Sequence, residues 1–304
     1  MFQSLLVPLD GSSFSERTLT LAQNLARPHG AALHLAHVHI SHPPDGLLSN
    51  TQFHYEGLDL AEYDRRDRAN EKEYLATVEA QLGDELPVDS ILLDGPVAEG
   101  VATYATRVGA DLVLVTTHGR KGAKRMWLGS VADALLHLTH LPLLVLHPPP
   151  GGSIPFDASG FKHVFAPLDG SDLSATILEA ASDLAEVSGA QITLGHVVHG
   201  PSGLAGHMFP MRADQLGDAL RAAEDYLEAE AAQLRKKGFK VDIAVEAFDD
   251  AVTGITTMAK NLDADVIALA THGRGGLRRA LAGSVADAVL HASALPLLIQ
   301  RPLG

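Results

Sequence analysis

The chain has 304 residues, no cysteine and a formal net charge of −14 with histidine neutral. Disulfides and thiolate metal centres are therefore excluded, and the mean negative field repels nucleic acid, so any polyanion site must be a local basic patch. With 46% hydrophobic and 20% charged residues, no apolar run of the roughly 18–20 residues that span a bilayer and no basic region opening a signal peptide, the expectation is a soluble cytoplasmic protein of two ordinary domains, with neither membrane nor nucleic-acid partners.

Residues 2–9 read as a buried strand ending at Asp10-Gly11. A helix opens at Ser12-Ser13, with Ser13 and Glu16 at capping-box spacing, and Phe14, Thr18, Leu21 and Leu25 mark its buried face. A second strand spans 31–39. The turn-rich segment from Ser41 to about Asp59 has the length of a lid or partner surface. A charged helix over about 61–82, a strand at 88–93, a helix over 97–108 and a strand at 111–116 follow. After a glycine-rich basic loop, a helix covers about 130–139 and a fifth strand 141–147.

Pro148 to Ser153 is a linker by composition. The order then repeats: strand 164–168, helix 172–188, strand 191–198, loop 199–212, helix 213–237, strand 241–246, helix 251–261, strand 265–270, a second glycine loop, helix 284–292 and strand 295–301. Residues 111–147 and 265–301 align without gaps and agree at 19 of 37 positions, so the halves share one design. Alternating strands and helices predict an α/β fold: two Rossmann-like domains, 1–147 and 161–304 joined by linker 148–160, each a five-stranded parallel sheet flanked by helices. Ligands of such sheets sit beyond the strand carboxyl ends, at the switch in strand order. Each final strand would leave an unpaired edge if alone, so the two are expected to pair as an intrachain pseudo-dimer, with a homodimer of chains as a further option.

Thr117-His118-Gly119-Arg120-Lys121-Gly122, running on to Gly129-Ser130-Val131, and its counterpart from Thr271 to Val285 have the makings of a phosphate cradle. Glycines allow close backbone approach, and a helix N-terminus adds N–H donors and a positive dipole end. The structural alternative is a capped turn, since Ser130 with Asp133 and Ser284 with Asp287 are spaced as capping boxes. Among the 16 histidines, His37 and His39 share one strand face. With His34, His42 and His118 they could compose a zinc site; polar strand ends are the simpler reading, and no metal site is assigned.

These motifs resemble a tandem universal stress protein. The family signature Gly-x2-Gly-x9-Gly-(Ser/Thr) is matched in its second part by Gly119-x9-Gly129-Ser130 and Gly273-x9-Gly283-Ser284. The opening strand ends in Val7-Pro8-Leu9-Asp10-Gly11-Ser12 and again in Ala166-Pro167-Leu168-Asp169-Gly170-Ser171. His37-Val38 and His196-Val197 close the second strands, and Leu141 to Leu144 and Leu295 to Leu298 resemble the final one. The signature's first glycine is Thr116 in one half and Ala270 in the other.

The resemblance implies an adenine nucleotide alpha hydrolase-like fold and a stress-response regulatory protein that binds ATP, with Mg2+ as the accompanying ion, and answers to a protein partner. The implied contacts in the first half are Pro8, Asp10, Val38, Gly95, Thr116, His118, Gly119, Arg120, Gly122, Gly129, Ser130 and Val131. In the second half they are Pro167, Asp169, Val197, Ala270, His272, Gly273, Arg274, Gly276, Gly283, Ser284 and Val285. The first half is favoured, because Asp249-Asp250 adds acid beside the second cleft. The alternatives are a structural or interaction protein of the same family that binds no nucleotide, and a slow ATP hydrolase for which no catalytic residue is assigned.

Overall fold

The computed structural model describes residues 1–41, 60–117, 130–147, 160–200, 213–271 and 285–302. The candidate lid and the linker, apart from Ser41 and Gly160, and both glycine loops from His118 and His272 onward lie outside the described residues.

The first half runs β1 (Ser4–Leu9), α1 (Ser13–Ala26), β2 (Ala32–His39), α2 (Leu60–Leu82), β3 (Val88–Asp94), α3 (Val97–Val108), β4 (Leu112–Thr116), α4 (Ser130–Leu138) and β5 (Leu143–Leu146). The second runs β6 (His163–Pro167), α5 (Asp172–Ala175), α6 (Ile177–Ser188), β7 (Gln191–His199), α7 (Ala213–Lys236), β8 (Val241–Phe248), α8 (Ala251–Asn261), β9 (Val266–Ala270), α9 (Val285–Ala292) and β10 (Leu297–Gln300). The single helix expected over 172–188 is divided at Thr176, whose hydroxyl donates to the Leu173 carbonyl at 2.6 Å. Such back-bonding competes with the helical ladder.

All ten strands form one sheet in the order β3-β2-β1-β4-β5-β10-β9-β6-β7-β8. Every step is parallel except the central one, where β5 and β10 run antiparallel with Leu144 opposite Leu298. The two edges left over by the separate five-stranded units thus cover one another. Parallel strands buried on both faces need apolar side chains in both directions. Leu5, Val7 and Leu9 of β1 enter the core under α1, α2, α6 and α7, while Leu6 enters the opposite core under α3, α4, α8 and α9. Both cores run through the two halves.

Local chemistry sets the helix ends. Ser12, in extended conformation, caps α1 by accepting from the Ser15 N–H. This corrects the capping box read from Ser13 and Glu16: Ser13 is already helical. Ser171 repeats the cap at Ser174, and Asp250 caps α8 at Thr253. Gly109 and Gly189 close α3 and α6 at φ of 64° and 67°, a left-handed conformation that glycine adopts without a Cβ penalty. Asp111 accepts from the backbone N–H groups of Gln3 and Ser4, and Asp265 from those of Lys162 and His163. One aspartate per half thereby joins the start of the first strand to the start of the fourth.

Candidate functional site

In each half the strand order reverses direction at one point, between β1 and β4 and between β6 and β9. That switch makes a crevice at the carboxyl ends, and the sequence-predicted residues gather along this edge. Pro8 lies one residue before the end of β1 and Asp10 directly after it, Val38 lies one residue before the end of β2, and Gly95 follows β3 at φ 98°. Thr116 ends β4, and Ser130 and Val131 begin α4. The second half sets Pro167, Asp169, Val197, Ala270 and Val285 at matching places. His118, Gly119, Arg120, Gly122, Gly129, His272, Gly273, Arg274, Gly276, Gly283 and Ser284 lie outside the described residues.

Asp10 has a structural task whatever else it meets. Its Oδ1 accepts from the Ser12 N–H at 2.9 Å and the Ser15 hydroxyl at 2.8 Å. Asp169 likewise accepts from the Ser171 N–H at 3.0 Å and the Ser171 hydroxyl at 2.6 Å. Burial alone would raise the Asp169 pKa, but these hydrogen bonds outweigh it and hold the carboxyl below its ordinary value. Both are Asx turns that aim the first helix at the crevice.

Thr116 and Ala270 occupy regular ladder positions, opposite Leu146 and Gln300. Among the described residues the only non-glycine at positive φ is Asp263. A glycine at either place would therefore matter for the space its missing Cβ leaves, not for backbone freedom.

The halves differ around the second strand. In the second half a Cβ added to Gly254 of α8 would stand 2.7 Å from Val197 Cγ1 and 2.9 Å from Phe248 Cδ2, so helix and strand are in tight contact there. At the equivalent Gly100 of α3 the nearest atom is 3.8 Å away, and a shallow groove of about 310 Å³ opens along Leu93, Asp94, Pro96 and Gly100. This groove runs along the end of β3 and the start of α3, past Asp94 and Pro96, the neighbours of the predicted contact Gly95.

His37 and His39 lie on the α2 side of β2, and His34 lies on the other, beside Asp89 and edge-on to Tyr104. Their partners come from α2. His39 is fully covered, with Nδ1 2.7 Å from Glu71 Oε2 and Nε2 2.9 Å from Asp64 Oδ1. Burial opposes charge on His39, yet the hydrogen bonds to Asp64 and Glu71 prevail and raise its pKa above the ordinary histidine value. Arg68 bonds both Asp64 and Asp94, and it holds the Asp94 carboxyl below its ordinary pKa. The sequence reading missed this set. The available signal was Asp64, Asp67, Arg68 and Glu71 recurring at helical spacing on one face of α2.

A tandem α/β protein with a duplicated crevice at the strand switch points is the class that this fold defines. Residues 1–147 and 160–301 match the universal stress protein family, and the chain belongs to it. It is 28% identical over 160 residues to the universal stress protein YxiE of Bacillus subtilis (strain 168), an alignment covering 48% of this chain and 99% of that one. Over 192 residues it is 27% identical to the universal stress protein Rv2005c of Mycobacterium tuberculosis (strain ATCC 25618 / H37Rv), covering 63% of this chain and 62% of the other. A crystal structure of a universal stress protein from Archaeoglobus fulgidus DSM 4304 superposes with a TM-score of 0.70 over 98% of both chains at 16% identity, a likeness of fold. Among the described residues no helix is long and apolar enough to cross a membrane.

Proposed function

We propose that the protein is a cytoplasmic stress-response regulator that binds an adenine nucleotide, ATP with Mg2+, at the β1–β4 switch point of its first half and changes a protein partner's binding on occupancy. The observation that carries this reading is the repeated conjunction of an Asx-turn aspartate, a His-Val strand end and the start of a Gly-Ser helix along one sheet edge. The backbone of Val38 would meet adenine, Asp10 the ribose, and the Gly119–Ser130 region with the N-terminus of α4 the phosphates. The first half is preferred because α3 stands further from β2 and β3 than α8 does from Val197. Calorimetric titration of the full chain with ATP and Mg2+ should show saturable heat and a raised melting temperature, both weakened by Gly129→Asp. Silence in both measurements overturns the reading.

Thr116 and Ala270 favour a second reading, an interaction protein that binds no nucleotide, because each places a Cβ where the family signature has glycine. Stoichiometric nucleotide in the purified chain, identified by mass spectrometry, would count against it.

A further inference from the structure

Asp64, Asp67, Arg68 and Glu71 form the strand-facing side of α2, and His37 and His39 of β2 stand against them. His39, Asp67 and Glu71 each present a ligand atom, all within 4.8 Å of one another. Beside them, the buried His37 donates its Nδ1–H to the Leu9 carbonyl at 2.7 Å. Its Nε2 stands 3.4 Å from Glu71 Oε1, so the ring borders the carboxylate on the strand side.

The second half supplies an internal comparison. α7 aligns with α2 without a gap through Tyr74-Leu75 and Tyr226-Leu227 and through Ala80-Gln81-Leu82 and Ala232-Gln233-Leu234. In this register Asp64, Asp67, Arg68 and Glu71 become Leu216, Ala219, Leu220 and Ala223, and the strand partner His39 becomes Val198. Val198 and Ala223 are buried at 6% exposure. The same joint between helix and strand is thus closed with apolar side chains in one half, so the fold does not require charges there. Replacing covered ionic groups by apolar ones is often neutral or stabilising. That the polar residues occur as a complete set in the first half points to a ligand rather than to packing.

We propose that His39, Asp67 and Glu71 form a binding site for a divalent transition-metal ion, zinc by its donor set. Imidazole with carboxylates, in a chain without thiolates, suits zinc at metal–ligand distances of about 2.0–2.2 Å. With the ion bound, His39 gives its Nδ1 lone pair to the metal and keeps Nε2–H donating to Asp64, a hydrogen bond of the kind that fixes the orientation of a ligating imidazole. The proton held at Nδ1 leaves as the ion enters. Arg68, bonded to Asp64 and Asp94, holds that support in place. An ion here pins α2 to β2. The site is built from side chains of β2 and α2 alone and does not rest on nucleotide binding.

The full chain, stripped with a chelator, is titrated with Zn2+ alone in competition with a chromophoric chelator. Wild type should take up one tight Zn2+ per chain and melt at a higher temperature when loaded. The double variant H39V/E71A copies the residues of the second half and should keep the fold, checked by circular dichroism. Its affinity should fall at least about 100-fold and its melting temperature should ignore zinc, whereas His291→Ala, an exposed histidine on another helix, should change neither. Co2+ absorption should show the d–d bands of nitrogen and oxygen ligation in wild type and lose them in the double variant. Zinc binding no tighter than about 100 µM in wild type, or equal affinity in H39V/E71A, overturns the proposal.

Discussion

Phe165 of β6 lies directly over Gly195 of β7: a Cβ built on that glycine would stand 2.4 Å from the ring's Cε2. In the first half the same two places are held by Leu6 and Ala36, both buried. A larger residue on one strand is matched by a smaller one on the next, and the volume under α8 is conserved. Gly195→Ala alone should therefore destabilise the protein by about 1–3 kcal/mol. Adding Phe165→Leu should recover much of that loss, a coupling of about 0.5–3 kcal/mol in a double-mutant cycle, the order that contacting residues show. Urea denaturation of the four proteins measures it, and simple additivity contradicts the paired packing.

Gly100 and Gly254 are the fourth residues after the N-caps of α3 and α8. Gly100→Ala meets nothing closer than 3.8 Å and should stabilise by roughly 0.5–1 kcal/mol through helix propensity. Gly254→Ala drives into Val197 and Phe248 and should cost about 1–3 kcal/mol. Thermal melts of the two variants should move in opposite directions, and a common direction would show that the two joints are equally spaced.

His147 follows β5 inside the molecule, with Nδ1 3.1 Å from the Thr117 hydroxyl and, among the described residues, no partner at Nε2. Burial, aided by the charge of His291, lowers its pKa from 6.5 to about 4. The folded state then binds fewer protons than the unfolded chain between those two values. The stability that His147 permits is complete above pH 6.5 and is lost as the pH falls toward 4, by about 3 kcal/mol in all. His147→Leu should flatten this part of the stability profile relative to wild type, measured by denaturation at pH 7 and pH 4. An unchanged slope would refute the assignment.

Asp10 supports the turn before α1 through one carboxylate oxygen. Asp10→Asn keeps an acceptor at that atom and should leave stability nearly unchanged, while Asp10→Ala should cost about 1–2 kcal/mol. The same pair separates turn from ligand contact: if ATP meets the carboxylate, Asp10→Asn weakens binding without weakening the fold.

Much of the architecture was legible in the sequence because it is set by neighbours along the chain. Strand and helix order follows from apolar periodicity. The duplicated crevice follows from Asp10 and Asp169, His37-Val38 and His196-Val197, which sit at strand ends wherever the strands go. The repeat even foretold that β5 and β10 would meet, because an unpaired parallel edge needs a partner. At a single-residue scale the reading slipped, taking Ser13 as the α1 cap, since two adjacent serines look alike until backbone angles separate them.

Tertiary structure alone decided what depends on register between distant segments. Nothing near His39 in sequence names Asp64 and Glu71 as its neighbours. The pairing arises because the alternation of β2 turns His37 and His39 toward α2, and one face of that helix carries Asp64, Asp67 and Glu71 toward them. The fit of Phe165 over Gly195 and the loose setting of Gly100 against the tight one of Gly254 have the same origin. Local propensity fixes which elements form, while the close packing of one element on another determines which side chains meet.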